Sequence, residues 1–199
     1  MSAGNSGGNE LGVVGGWGIA PAALAKFFPA GAIVVAPTRE NVARVASLRR
    51  VVAYSLGAWL LLDAATRGEF SCDNAVLYAP FLAFSREKGR GGKIFSAQVK
   101  FLRRWLRRDC CGALADFYAR AGLSLSPPAE LPYAPEDLEA GLDFLLDGDI
   151  SAVPAAATNW EIVLGENDAL LDAEIVAATF PKNPTRIIPR GTHDLLTLI

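Results

Sequence analysis

The sequence predicts an α/β fold: a mostly parallel sheet covered by helices on both faces, with one helical insertion. Three observations point to it. Short, nearly all-apolar runs alternate with helical runs, as in sheets buried on both faces. That alternation stops between Phe81 and Ser151, where no strand pattern occurs, and then resumes. The chain has 199 residues, 51% of them hydrophobic, which suits one domain with one core. The expected division is a core of residues 1–80 and 152–199 and an insertion of residues 81–151.

Met1 to Asn9 is rich in Gly, Ser and Asn and reads as a flexible lead-in. It has neither the basic nor the apolar region of a signal peptide. Leu11–Val14 reads as a buried strand that breaks into Gly15-Gly16-Trp17-Gly18, a turn needing glycine's conformational freedom. Pro21 to Phe28 reads as a helix with proline in its first turn. Ala32 to Ala36 is a second strand, closed by Pro37, and Glu40 to Ser47 a short helix. Val51 to Tyr54 is the third strand, and Leu56 to Arg67 the helix after it. Ala75 to Tyr78 is the fourth strand.

Within the insertion, Ile94 to Arg108 is amphipathic. Phe95, Val99, Leu102 and Leu106 fall on one stripe, and Lys100, Arg103, Arg104 and Arg107 on another. Gly112 is expected to break or kink the run before Ala113 to Ala121. Four prolines between Pro127 and Pro135 mark a loop, and Glu136 to Leu146 is a further helix. Beyond it come a strand at Glu161–Leu164, a helix at Asp172–Thr179 and a last strand at Thr185–Ile188.

Charge is unevenly spread. The net charge is −2, yet Arg86 to Asp109 holds nine basic and two acidic residues. The stretch from Glu130 to Asp149 holds seven acidic residues and no basic one. Such asymmetry suits either an acidic partner or pairing inside the molecule. One basic helix in an acidic chain argues against nucleic-acid binding. The longest uncharged apolar run near Ser55, Leu56 to Leu62, is too short to span a bilayer. Three cysteines, Cys72, Cys110 and Cys111, make neither an even disulfide set nor a metal pattern, so no metal or cofactor is expected. They fit a reducing, cytoplasmic setting.

The chemistry gathers at strand ends, where parallel sheets bind ligands. Ala53-Tyr54-Ser55-Leu56-Gly57 has the strand–turn–helix context of a nucleophile elbow, G-x-S-x-G, with alanine for the first glycine. The bland alternative is a core strand entering a core helix, with Ser55 as its N-cap. Asp168 follows the fifth strand, and His193, the one histidine of the chain, follows the sixth. The order Ser, Asp, His is that of an α/β-hydrolase triad. Ser55 is then the nucleophile, His193 the base, and Asp168 the acid that orients it, with Glu166 as rival. The backbone N–H groups of Trp17 and Leu56 are the expected oxyanion donors.

On Gly16-Trp17-Gly18, Tyr54-Ser55-Leu56-Gly57, Gly141-Leu142 to Asp149 and Gly165 to Leu170, the chain resembles the α/β-hydrolases. Among them it is similar to the methyl ester esterases that act on pimeloyl-acyl-carrier-protein in biotin synthesis. The resemblance covers most of the chain from Leu11 onward. It implies a minimal α/β-hydrolase and a serine carboxylesterase with Ser55, Asp168 and His193 catalytic. Trp17 and Leu56 frame the oxyanion hole, and Trp17 and Phe117 contact the acyl group. Lys100, Arg103, Arg104 and Arg107 would dock an acidic acyl carrier protein. That match is one of character, because the family's basic lid residues do not align position by position. Two antiparallel strands that usually precede the position of Leu11 have no counterpart here, nor does a full helix after His193. The expected assembly is a monomer. Two other readings stay open: a small-ester carboxylesterase or thioesterase without a carrier, and a non-catalytic hydrolase-like binding protein.

Overall fold

A computed structural model describes residues 11–199. The lead-in expected over Met1 to Asn9 lies outside the described residues. The core is a six-stranded sheet of β1 (Leu11–Val14), β2 (Ile33–Val35), β3 (Arg50–Tyr54), β4 (Asn74–Tyr78), β5 (Glu161–Gly165) and β6 (Thr185–Ile188). The spatial order is β2-β1-β3-β4-β5-β6, and each neighbouring pair is parallel. The apolar runs become strands because both faces of the sheet are covered. Val13, Val14, Val51, Ala53, Leu77, Ile162 and Val163 are all buried.

The covering helices are α1 (Pro21–Ala25), α2 (Arg39–Val45), α3 (Leu56–Thr66) and α7 (Ala173–Ala178). Helix α1 is shorter than the Pro21–Phe28 run suggests. The helix ends at Ala25 with Lys26 as its C-cap, and Pro29 disfavours helical geometry at Phe28. Asp172 lies outside α7 as its N-cap and accepts from the Ile175 N–H at 3.1 Å. Nine of the eleven residues of α3 are buried. A helix so largely apolar belongs inside, and α3 packs against β3 and α2, with Asp63 reaching out to Arg39.

The chain leaves β1 towards β2 on one side and returns to β3 on the other. The winding reverses there and opens a crevice above the carboxyl ends of β1 and β3. Gly57 lets α3 approach β1 closely: a β-carbon there would lie 2.5 Å from the Gly15 carbonyl oxygen and 2.6 Å from that of Val14.

Residues 81–151 contain α4 (Ser96–Leu106), α5 (Cys110–Ala121) and α6 (Pro135–Asp147) and no strand, only isolated bridges from Ser85 to Ile94 and from Gly92 to Leu171. Two expectations for this segment are corrected. Gly112 does not interrupt a helix. The break falls at 107–109, and Gly112 lies in the first turn of α5, where its N–H donates to the capping Asp109 carboxylate at 2.9 Å. A side chain at 112 would strike that carboxylate. Phe95 is the residue before α4 and is 45% exposed, so it leaves the apolar stripe, while Val99 and Leu106 are buried. Helix α6 rests on α3, with Phe144 stacked on Trp59 at 5.5 Å between ring centroids. Among the described residues, no helix is long and apolar enough to cross a membrane.

Candidate active site

Strand β3 delivers Ser55 to the crevice. Its backbone has φ 52 and ψ −115, a region that costs a non-glycine residue about 1–3 kcal/mol. The sharp turn lifts the hydroxyl out of the strand line and starts α3 at the next residue. Ser55 occupies the N-cap position without capping: its side chain makes no hydrogen bond to the helix. The hydroxyl lies 3.0 Å from His193 Nε2 instead. This removes the N-cap alternative. Ala53 replaces the first glycine of the elbow pattern and fits fully buried.

His193 Nδ1 lies 2.7 Å from Asp168 Oδ2. The other Asp168 oxygen accepts the backbone N–H groups of Leu170 at 2.7 Å and Leu171 at 3.0 Å. Both carboxylate oxygens are therefore held by protein donors, and the bond to Nδ1 sets the tautomer that leaves Nε2 an acceptor for the serine hydroxyl. Ser55, Asp168 and His193 are 7%, 2% and 1% exposed. Electrostatic interactions in so dry a site are stronger than in water. Glu166 points elsewhere and accepts the Arg190 N–H at 2.8 Å.

Leu56 begins α3, so its N–H has no partner inside the helix. Trp17 follows β1 in the Gly15–Gly18 turn. Neither N–H donates to an acceptor among the described residues. Gly16 permits the close approach of the turn to the elbow, since a β-carbon there would lie 2.8 Å from the Tyr54 ring. The arrangement can deliver an alkoxide-like oxygen to an acyl carbon, move one proton between oxygen and imidazole, and offer free N–H groups to a developing oxyanion.

Beside this centre is an apolar cavity of about 260 Å³ lined by Phe84, Val99, Leu102, Phe117, Leu142 and Leu170, among others. It adjoins the site through two of these. Phe117 meets Trp17 edge-on at 4.8 Å, and Leu170 donates to Asp168. Phe117 thus stands between the cavity and Trp17.

The four basic residues, Lys100, Arg103 and Arg104 on α4 and Arg107 at its C-cap, divide. Arg103 pairs with Asp143, and Arg107 Nε donates to Glu139 at 2.8 Å, both partners lying on α6. The Arg107 guanidinium beside Glu139 holds that carboxyl below its ordinary range. Lys100 and Arg104 have no ion-pair partner among the described residues. Part of the charge asymmetry is therefore satisfied between α4 and α6.

Sequence reasoning missed a set of bracing residues. The Tyr54 hydroxyl donates to the His193 carbonyl at 2.6 Å. Lys93 Nζ donates to the Asp168 carbonyl at 2.7 Å. Buried Asp194 accepts the Ser124 N–H at 2.9 Å. The one signal available was adjacency: Tyr54 and Asp194 flank the serine and the histidine in sequence.

No family model and no curated protein matches the chain. Solved structures do. An esterase from Exiguobacterium antarcticum superposes with TM-score 0.65 at 14% identity, over 94% of this chain and 86% of that one. A thermophilic esterase from Thermogutta terrifontis gives 0.63 at 15% identity, over 94% and 83%. A hydrolase from Oleispira antarctica gives 0.61 at 13% identity, over 94% and 85%. These similarities, with the parallel sheet and its crevice, establish that the chain has the α/β-hydrolase fold.

Proposed function

We propose that this protein is a serine carboxylesterase. The observation that carries the reading is the continuous hydrogen-bonded chain from Ser55 Oγ through His193 to Asp168, set at the crevice of the sheet. Ser55 attacks the ester carbon as His193 Nε2 takes its proton. The carbonyl electron pair moves onto oxygen, which the Trp17 and Leu56 N–H groups receive. Collapse expels the alcohol, protonated by His193, and leaves an acyl-enzyme. Water, deprotonated by the same imidazole, then releases the acid and restores Ser55. Asp168 stabilises the imidazolium throughout.

The finer reading is hydrolysis of the methyl ester of pimeloyl-acyl-carrier-protein, in a cytoplasmic setting. It is supported by the resemblance of the Gly-Trp-Gly turn and elbow and by the apolar cavity beside the centre. Helices 81–151 would act as a lid over the acyl group, with Trp17 and Phe117 against it. Lys100, Arg103, Arg104 and Arg107 would meet the carrier's acidic face. Because Arg103 and Arg107 already hold α6 carboxylates, Lys100 and Arg104 are the sharper probes of docking. A carrier-free esterase or thioesterase for small apolar esters is favoured instead by those same internal pairs.

Two measurements test the reading. Ser55→Ala is expected to lose label from a fluorophosphonate and at least about 1,000-fold in hydrolysis of p-nitrophenyl esters. An unlabelled wild-type Ser55 would leave only the non-catalytic binding protein. Lys100→Glu with Arg104→Glu is expected to slow cleavage of the carrier-bound methyl ester and to spare p-nitrophenyl esters. Equal loss on both substrates removes the carrier.

A further inference from the structure

The turn that carries the Trp17 N–H is gripped from the inserted segment. Gly18 sits at φ +72, a left-handed conformation that glycine adopts without strain. Its N–H donates to the Tyr133 hydroxyl at 2.7 Å. Its carbonyl accepts from the Tyr118 hydroxyl at 3.1 Å. One residue earlier, the buried Trp17 indole donates to the Leu138 carbonyl at 2.8 Å. On the upstream side the sheet supplies one bond, from the Gly15 N–H to the Val35 carbonyl at 3.0 Å. The downstream half of the turn therefore takes its position from residues 118–138.

We propose that Tyr133 and Tyr118 are positioning residues that aim the Trp17 N–H at the oxyanion, which makes the helical segment part of the catalytic scaffold. The inference rests on the esterase reading above. An oxyanion donor works only when it sits about 2.7–3.1 Å from the position the charged oxygen will occupy. The peptide joining Trp17 to Gly18 is adjacent to that donor, and Tyr133 fixes it directly. Tyr118 fixes the next peptide. Without these hydroxyls the two peptides flanking Gly18 are held only by the Trp17 indole and a 3.4 Å bond from the Ile19 N–H to the Gly16 carbonyl, and an error of about 1 Å costs up to about 100-fold in rate. Burial raises both phenols, Tyr118 to about 12, so both stay protonated at neutral pH and Tyr118 remains a donor to Gly18. The bond from Ser124 to Asp194 and that from Lys93 to Asp168 show the same segment gripping the histidine and aspartate loops.

The test uses Tyr133→Phe, Tyr118→Phe and the double variant with p-nitrophenyl hexanoate. The expected result is a kcat about 10-fold lower in Tyr133→Phe and lower still in the double variant, with KM within about twofold. A second readout is 1,1,1-trifluorooctan-2-one. Ser55 Oγ adds to its ketone carbon, His193 takes the proton, and the carbonyl pair becomes an oxyanion in the same place. Its inhibition constant is expected to rise by the factor by which kcat/KM falls, while that of octan-2-one stays constant. A lower Tm with unchanged kcat and unchanged inhibition by the trifluoroketone would overturn the proposal. If Tyr133→Phe does not fold, Tyr118→Phe carries the test by the same criteria. Full activity in Ser55→Ala would overturn the esterase reading and this proposal together. An inactive Ser55→Ala beside fully active tyrosine variants overturns the positioning role alone.

Discussion

Tyr54 holds His193 through the backbone as well as beside its ring: its hydroxyl donates to the His193 carbonyl at 2.6 Å, the two rings lie tilted with centroids 5.6 Å apart, and each residue is 1% exposed. The residue before the candidate nucleophile thus fixes the loop that carries the candidate base. Removing the hydroxyl leaves a buried carbonyl without that partner, which costs about 1–3 kcal/mol. It also frees the His193 loop to shift against Ser55. Tyr54→Phe is expected to lower kcat about 10-fold and to lower Tm by several degrees, checked by ester hydrolysis and thermal melting. Unchanged kcat would show that the contacts of Asp168 and Asp194 hold the loop unaided.

The same burial predicts how stability responds to base. All four tyrosines, Tyr54, Tyr78, Tyr118 and Tyr133, have phenols raised above their ordinary value. For Tyr54 burial is the main cause, with the charges of Asp168 and Asp194 adding to it. The unfolded chain releases these protons near pH 10, while the folded one keeps them. The stabilisation is therefore complete below about pH 10 and is lost as pH rises beyond it. Tm is expected to fall between pH 9 and pH 11, and less steeply in Tyr54→Phe. A flat profile over that range would contradict the assignment.

The hydrogen-bonded arrangement of Ser55, His193 and Asp168 was legible in the sequence because each stands at a strand end, although chain order did not separate Asp168 from Glu166. Strand ends are readable where apolar runs stop at Tyr54, Gly165 and Ile188. The brace from Tyr118 and Tyr133 to Gly18 was not legible. Those residues are separated by 100 and 115 positions, and no periodicity links them. The split of the basic face was half legible. The acidic run from Glu130 to Asp149 offered partners for α4, but which arginine meets which carboxylate depends on how α4 lies on α6. Gly112 misled because glycine ends helices more often than it begins them, and here Asp109 made the first turn of α5 its place.

Gly57 sets the gap between α3 and β1, and with it the position of the Leu56 N–H. Gly57→Ala puts a methyl group 2.5 Å from the Gly15 carbonyl oxygen, inside van der Waals contact, and both neighbours are backbone. Relief requires α3 or the glycine turn to move. The expected cost is about 1–3 kcal/mol of stability, read by denaturant unfolding. Activity should fall with it, since both proposed oxyanion donors adjoin the displaced groups. A stable variant with full activity would show that the elbow tolerates more separation than this packing allows.

Asp168 and Glu166 are two residues apart on one loop, and their surroundings separate their roles. Asp168 is 2% exposed and accepts two backbone N–H groups besides the imidazole, whereas Glu166 is exposed and accepts the Arg190 N–H. Asp168→Asn keeps the shape but presents an amide to Nδ1 or to the Leu170 and Leu171 donors, so one contact turns from attraction to repulsion. If the amide nitrogen faces Nδ1, the imidazole takes the tautomer with its proton on Nε2, and it can no longer accept from Ser55. The expected loss in kcat is about 10,000-fold. Glu166→Gln keeps an acceptor for Arg190 and is expected to stay within about twofold of wild type, so its loss by more than tenfold would transfer the acid's role to Glu166.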